Sequence, residues 1–133
     1  MRLRNTNFDG TGQAVVVVDS GYDTVHTIDK LVYEFDFQGN DQNAFNGQQN
    51  SHGGAVAAVV SQYAADADII HLKVAPDFLD GNIRASDVEN ALQWVIDNGD
   101  AYNVAAVNIS LGTLATFSNY ASSFLTTEIN NLY

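Results

Sequence analysis

The chain has 133 residues and no cysteine, which excludes disulfides and thiolate chemistry. Apolar residues make up 46% and charged residues 16%, enough for a core and too little charge for a disordered polyelectrolyte. Sixteen acidic against five basic residues give a net charge of −11, which argues against nucleic acid and anionic membranes as partners; it suits solubility, or else a cationic partner.

This length predicts one domain or part of one. No run of about eighteen apolar residues exists, so no membrane span is expected. Met1 to Asn5 carries two positive charges without an apolar stretch behind them and does not read as a secretory signal peptide. The residues alone leave localisation unknown.

Ala14 to Val18 is an unbroken, Val-rich apolar run, the pattern of a strand buried on both faces in a parallel sheet. Ser20-Gly21 ends it. Leu31 to Phe37 alternates in part and reads as a short strand, followed by a polar loop from Gln38 to Ser51. Ala55, Val56, Ala58, Val59, Val60 and Tyr63 fit a buried helix starting near Gly53, with His52 at its opening. Ile69 to Val74 reads as a second buried strand. Ser86-Asp87-Val88-Glu89 has the form of a capping box with Ser86 as N-cap, ahead of a helix that stops at Asn98-Gly99. Val104 to Leu111 reads as a third buried strand, and Tyr120 to Leu132 as a last helix. This alternation predicts an α/β fold: a three-layer, doubly wound parallel sheet with helices on both faces and right-handed crossovers. Ligands of such sheets gather beyond the carboxyl ends of the strands.

Asp19 lies at that end of the first strand, in an Asp-Ser-Gly sequence that equally makes an ordinary turn. His52 opens a helix beside Gly53-Gly54, where a histidine either acts as a base or packs. Together they say more. A carboxylate that holds one imidazole nitrogen makes the other a general base, provided a nucleophile is at hand.

Gly10 to Gly21, with Asp19 at its end and His26 after it, resembles the Asp motif of the subtilisin-like (S8) serine proteases. Ser51-His52-Gly53-Gly54-Ala55-Val56-Ala57 resembles that family's His motif. Ala67 to Val74 is similar to the strand that follows it, and Val107-Asn108-Ile109-Ser110-Leu111-Gly112 to the family's Asn-Met-Ser-Leu-Gly strand. The four motifs occur in family order across nearly the whole chain, with 33 residues from Asp to His. The resemblance implies residues 1–133 to be the N-terminal portion of a subtilisin-like domain and its fold to be part of that fold. It implies Asp19 as the group orienting the imidazole and His52 as the base. Ser110, Leu111 and Gly112 would pair with an extended polypeptide substrate, and Leu79, Asp80 and Gly81 would form the opposite wall. An extracellular setting follows from the family alone.

Two departures stand out. Gly54 replaces the usual Thr after His-Gly, which is expected to loosen the helix start. The family's Ala-Ala-Gly-Asn strand and Gly-Thr-Ser-Met-Ala segment, which supply the oxyanion Asn and the nucleophile, have no counterpart in this sequence. None of Ser20, Ser51, Ser61, Ser86, Ser110, Ser118, Ser122 and Ser123 has a nucleophile context. The isolated chain is therefore expected to be inactive, with the missing half of the domain as its required partner. Removing the nucleophile of such a triad costs about a millionfold in turnover.

The remaining constellations are weak. His26, His52 and His71 lack paired ligand spacing, which argues against zinc. Asp36, Asn40, Asp41 and Asn43 offer oxygens to calcium without EF-hand spacing, so no ligand set is assigned and no cofactor is expected. His71 reads as a core or edge histidine, His26 as locally structural and Trp94 as core. The rival readings are a non-catalytic, protease-derived module that binds peptide or a protein partner, and an unrelated doubly wound domain with a small ligand at its strand ends.

Overall fold

The computed structural model describes residues 9–47, 50–76, 83–112 and 130–131. Its elements are β1 (Ala14–Asp19), β2 (Leu31–Asp36), α1 (His52–Tyr63), β3 (Asp68–Lys73), α2 (Ala85–Asn98) and β4 (Val104–Ile109). The strands form one parallel sheet in the order β2-β3-β1-β4.

The two-faced character of the Val run decides the layering. Successive side chains of a strand point to opposite faces. Val17, with Ile69 of β3, packs against Ala57 of α1. Val16 and Val18, with Ile70 and Leu72, pack against Val88, Ala91, Leu92 and Val95 of α2. Helices therefore cover both faces, as the alternation predicts. Each fully buried Val, Leu or Ile contributes about 1.5–3 kcal/mol, so this double layer outweighs any single polar contact described below.

Aromatic packing closes the α2 side. Trp94 stacks on Tyr33 of β2 with ring centroids 4.4 Å apart, and Tyr102 leans on both rings.

Several expectations are corrected. The strand expected from Val104 to Leu111 ends at Ile109 and is not fully buried: Ala105 and Ala106 are exposed. The reason is its place at the sheet edge, beside β1 alone among the described residues. The strand expected to reach Phe37 ends at Asp36. Ser86 is not the N-cap. The cap and the helix start both lie two residues earlier, with Arg84 at the cap position and no side-chain cap bond. Arg84 Nε instead donates to Asp87 at 2.6 Å across the first turn, which fixes the start there. Gly99 follows the helix in an ordinary right-handed conformation, and the positive φ of 51° falls on Asn103. Of the last expected helix, Asn130 and Asn131 are helical; the rest, with Leu79, Asp80 and Gly81, lies outside the described residues.

Candidate active site

Asp19 is the last residue of β1 and shares the pleat face of Val17, the side that α1 covers. α1 begins at His52, so its N-terminus meets the carboxyl end of β1. Ser51 makes that start local: it is extended (φ −65°, ψ 141°), and its Oγ accepts from Gly54 N at 3.1 Å.

The two groups meet. His52 Nδ1 lies 2.8 Å from Asp19 Oδ1. The same oxygen accepts Ser20 N at 2.7 Å, while Asp19 Oδ2 is buried without a partner. Asp19 is 1% exposed; the His52 side chain is 65% exposed. A buried carboxylate thus holds Nδ1 of an imidazole whose other side faces outward. That is the geometry of an oriented base.

Close backbone approach makes the contact feasible. A Cβ at Gly53 would lie 2.1 Å from the Ser20 carbonyl oxygen. Gly53 N donates to Ser20 Oγ at 3.0 Å, so one turn of α1 sits directly on the turn after β1. Gly21 is equally confined, with its Cβ position 2.4 Å from the Ala44 carbonyl oxygen. At Gly54 a Cβ would meet Ser51 Oγ at 2.7 Å and His26 Nδ1 at 3.3 Å. The space that the usual Thr side chain would need is taken by His26 and the cap.

Behind the pair lies a group that the sequence reading did not single out. Asp23 accepts from Val25 N and His26 N, both at 2.9 Å, from Ser51 N at 2.5 Å, and from His26 Nδ1 at 3.1 Å. Burial alone would raise its carboxyl; the bonds from the His26, Ser51 and Val25 backbones and from the His26 ring hold it well below the ordinary value. Asp-x-x-His was the available signal. His71 is fully buried, and its Nε2 donates to the Ser20 carbonyl at 2.7 Å. Burial lowers its pKa, partly offset by Ser20, Asp19 and Glu34. Tyr22 packs edge-on to that ring; burial and Glu34 push its hydroxyl up to about 12.

Ser110, Leu111 and Gly112 follow β4 at the same edge. Val18 pairs with Ile109, so Ser110 comes level with Asp19. Ser110 and Gly112 are exposed, and Leu111 packs against the α2-side core. Ser110 Oγ accepts Asn108 Nδ2 at 2.8 Å.

No described serine is bonded to His52 as a nucleophile would be. Ser20 and Ser51 accept from the first N–H groups of α1. Ser61 lies about 13 Å further along the helix, far beyond the ~3 Å such a contact requires. Ser118, Ser122 and Ser123 lie outside the described residues. Of the loop residues offered to calcium, Asp36 accepts Gln38 N and Gly39 N and pairs with Lys73, Asp41 accepts Asn43 N, and Asn43 accepts Phe45 N. Among the described residues no three acidic, His or Cys side chains converge on one point. No described helix is long and apolar enough to cross a membrane.

Comparison with known proteins bears on this geometry. No protein-family model matches the chain. Over 112 residues it is 32% identical to alkaline serine exoprotease A of Vibrio alginolyticus, a stretch covering 81% of this chain and 20% of that protein. The chain is protease-like. It spans about a fifth of the length of that relative. The fold is also that of a solved bacterial protease: the Clostridium perfringens CspB protease superposes with a TM-score of 0.66 at 18% identity, over 97% of this chain and 35% of the other.

Proposed function

We propose that this chain is the Asp- and His-bearing part of a subtilisin-like serine endopeptidase domain acting on extended polypeptides outside the cell. The observation that carries the reading is the 2.8 Å contact between His52 Nδ1 and buried Asp19. The protease-like sequence supports it.

The chemistry follows from that contact. Asp19 accepts a hydrogen bond from Nδ1–H, which leaves the Nε2 lone pair facing outward. Nε2 takes the proton of a serine hydroxyl as its oxygen attacks the scissile carbonyl. Asp19 stabilises the imidazolium that forms. His52 then protonates the leaving amine, and water repeats the cycle on the acyl-enzyme. The backbone of Ser110, Leu111 and Gly112 pairs with the substrate strand, where main-chain hydrogen bonds give affinity. The serine and an oxyanion donor come from a companion segment; without it the 133 residues do not hydrolyse peptides.

A fluorophosphonate probe tests this. The 133-residue chain stays unlabelled. A polypeptide joining it to a companion segment with a Gly-Thr-Ser sequence is labelled at that serine, and Asp19→Asn or His52→Gln suppresses labelling. An unlabelled joined polypeptide that is folded contradicts the proposal and favours a peptide-binding module without catalysis.

A further inference from the structure

We propose that Asp23 is a second positioning carboxylate, one that clamps the start of α1 and thereby sets the Asp19–His52 contact. The inference rests on the peptidase reading and concerns a residue to which that reading gives no role.

The two members of the pair belong to different segments. Asp19 ends β1, and His52 starts a helix 33 residues later. Something must fix the distance between the turn after β1 and the turn before α1. Asp23 touches both. Its Oδ1 accepts Val25 N and His26 N, which closes its own turn. Its Oδ2 accepts Ser51 N, the residue immediately before His52. Ser51 then caps α1 through Gly54 N, and Ser51 O accepts Ala55 N at 3.1 Å. One carboxylate thus joins the β1 turn to the N-cap.

The acceptor inventory makes a carboxylate necessary. Four donors converge on two oxygens, and the side chain is only 1% exposed. An amide offers one oxygen. Asn at this position keeps the turn bonds through that oxygen and turns an N–H₂ toward the Ser51 N–H. Two donors then face each other in a buried site, and the clamp opens on the His52 side. Other ties between these segments among the described residues, such as Gly53 N to Ser20 Oγ, Asn46 N to Tyr22 O at 2.6 Å and Tyr22 N to Ala44 O at 3.1 Å, do not hold Ser51.

The test is Asp23→Asn in the full chain, read by NMR on ¹⁵N-labelled protein. Two signals matter: the exchange rate of the Ser51 amide and the low-field Nδ1 proton of His52. In the wild type the Ser51 amide exchanges slowly, and the His52 proton disappears in Asp19→Asn. In folded Asp23→Asn, Ser51 exchange rises about ten- to a hundredfold, the range for a lost hydrogen bond to a charged acceptor, and the His52 proton shifts or broadens. A merely structural role lowers the melting temperature and leaves the His52 proton of the folded protein in place; that result overturns the proposal. If the variant does not fold, the wild type decides: fast exchange at Ser51 overturns the clamp, slow exchange supports it. A His52 proton indifferent to Asp19→Asn defeats the peptidase reading itself. One that responds to Asp19→Asn but not to Asp23→Asn defeats only the clamp.

Discussion

The buried ring of His71 donates its Nε2 proton to the carbonyl oxygen of Ser20 at 2.7 Å, in the turn that follows Asp19. Nε2 must then carry the proton, and the unpartnered Nδ1 is left bare. Burial lowers the pKa of this ring from its ordinary value of 6.5. The unfolded chain therefore takes up a proton near pH 6.5 that the folded chain refuses. Stability falls as pH drops below about 6.5, by at most about 1.4 kcal/mol per pH unit for one proton, until the folded pKa is reached. Asp23 does not contribute in this window, because its lowered pKa removes stability only below its unfolded value of 3.8. Urea midpoints between pH 5 and 8 should show this slope, and His71→Gln should flatten it. Parallel wild-type and His71→Gln curves would contradict the assignment.

Gly53→Ala should open the site. Its new methyl carbon would stand 2.1 Å from the Ser20 carbonyl, backbone that cannot swing aside. Overpacking of this kind costs about 1–3 kcal/mol. The expected results are a lower urea midpoint and loss of the Nδ1 bond between His52 and Asp19. Unchanged stability would mean that the two turns are not in contact.

Lys73 and Asp36 form a buried ion pair at 2.6 Å between β3 and β2. Lys73→Met strands the carboxylate and should destabilise by about 3–5 kcal/mol. Adding Asp36→Asn removes the charge and keeps an oxygen for Gln38 N and Gly39 N. The double variant should therefore be more stable than Lys73→Met alone. A double-mutant cycle in urea checks the order; additive losses would contradict it.

Among the described residues β4 is the sheet edge and leaves Ala105 and Ala106 exposed, beside a cleft of about 680 Å³ against Val95 and Ile96 of α2. An unpaired, uncharged edge recruits other strands. The 133-residue chain should self-associate with rising concentration, and Ala106→Lys should reduce this in sedimentation velocity. A concentration-independent monomer would show that the edge is covered.

The layering was legible because Val15 to Val18 has no polar face and is wholly β-branched, which favours a strand covered on both sides. Asp19 and His52 were legible because glycine, serine and strand-end signals surround them. The Ser86 cap was misread because a capping-box pattern does not register the Arg84–Asp87 pair, which goes with a helix start two residues earlier. β4 was misread as fully buried because apolar residues describe what a strand can bury, not whether a neighbour lies beside it. Asp23 escaped because its partner, Ser51, is 28 residues away. At Gly54 the sequence does not show that the His26 ring stands 3.3 Å from where a Cβ would lie.

The most direct test of the site is the imidazole spectrum of His52 in the wild type and in Asp19→Asn. A protonated Nδ1 held by a buried carboxylate should give a low-field proton signal that vanishes in the variant. Identical His52 signals in the two proteins would mean that the carboxylate does not hold the ring, and the peptidase account would fall with it.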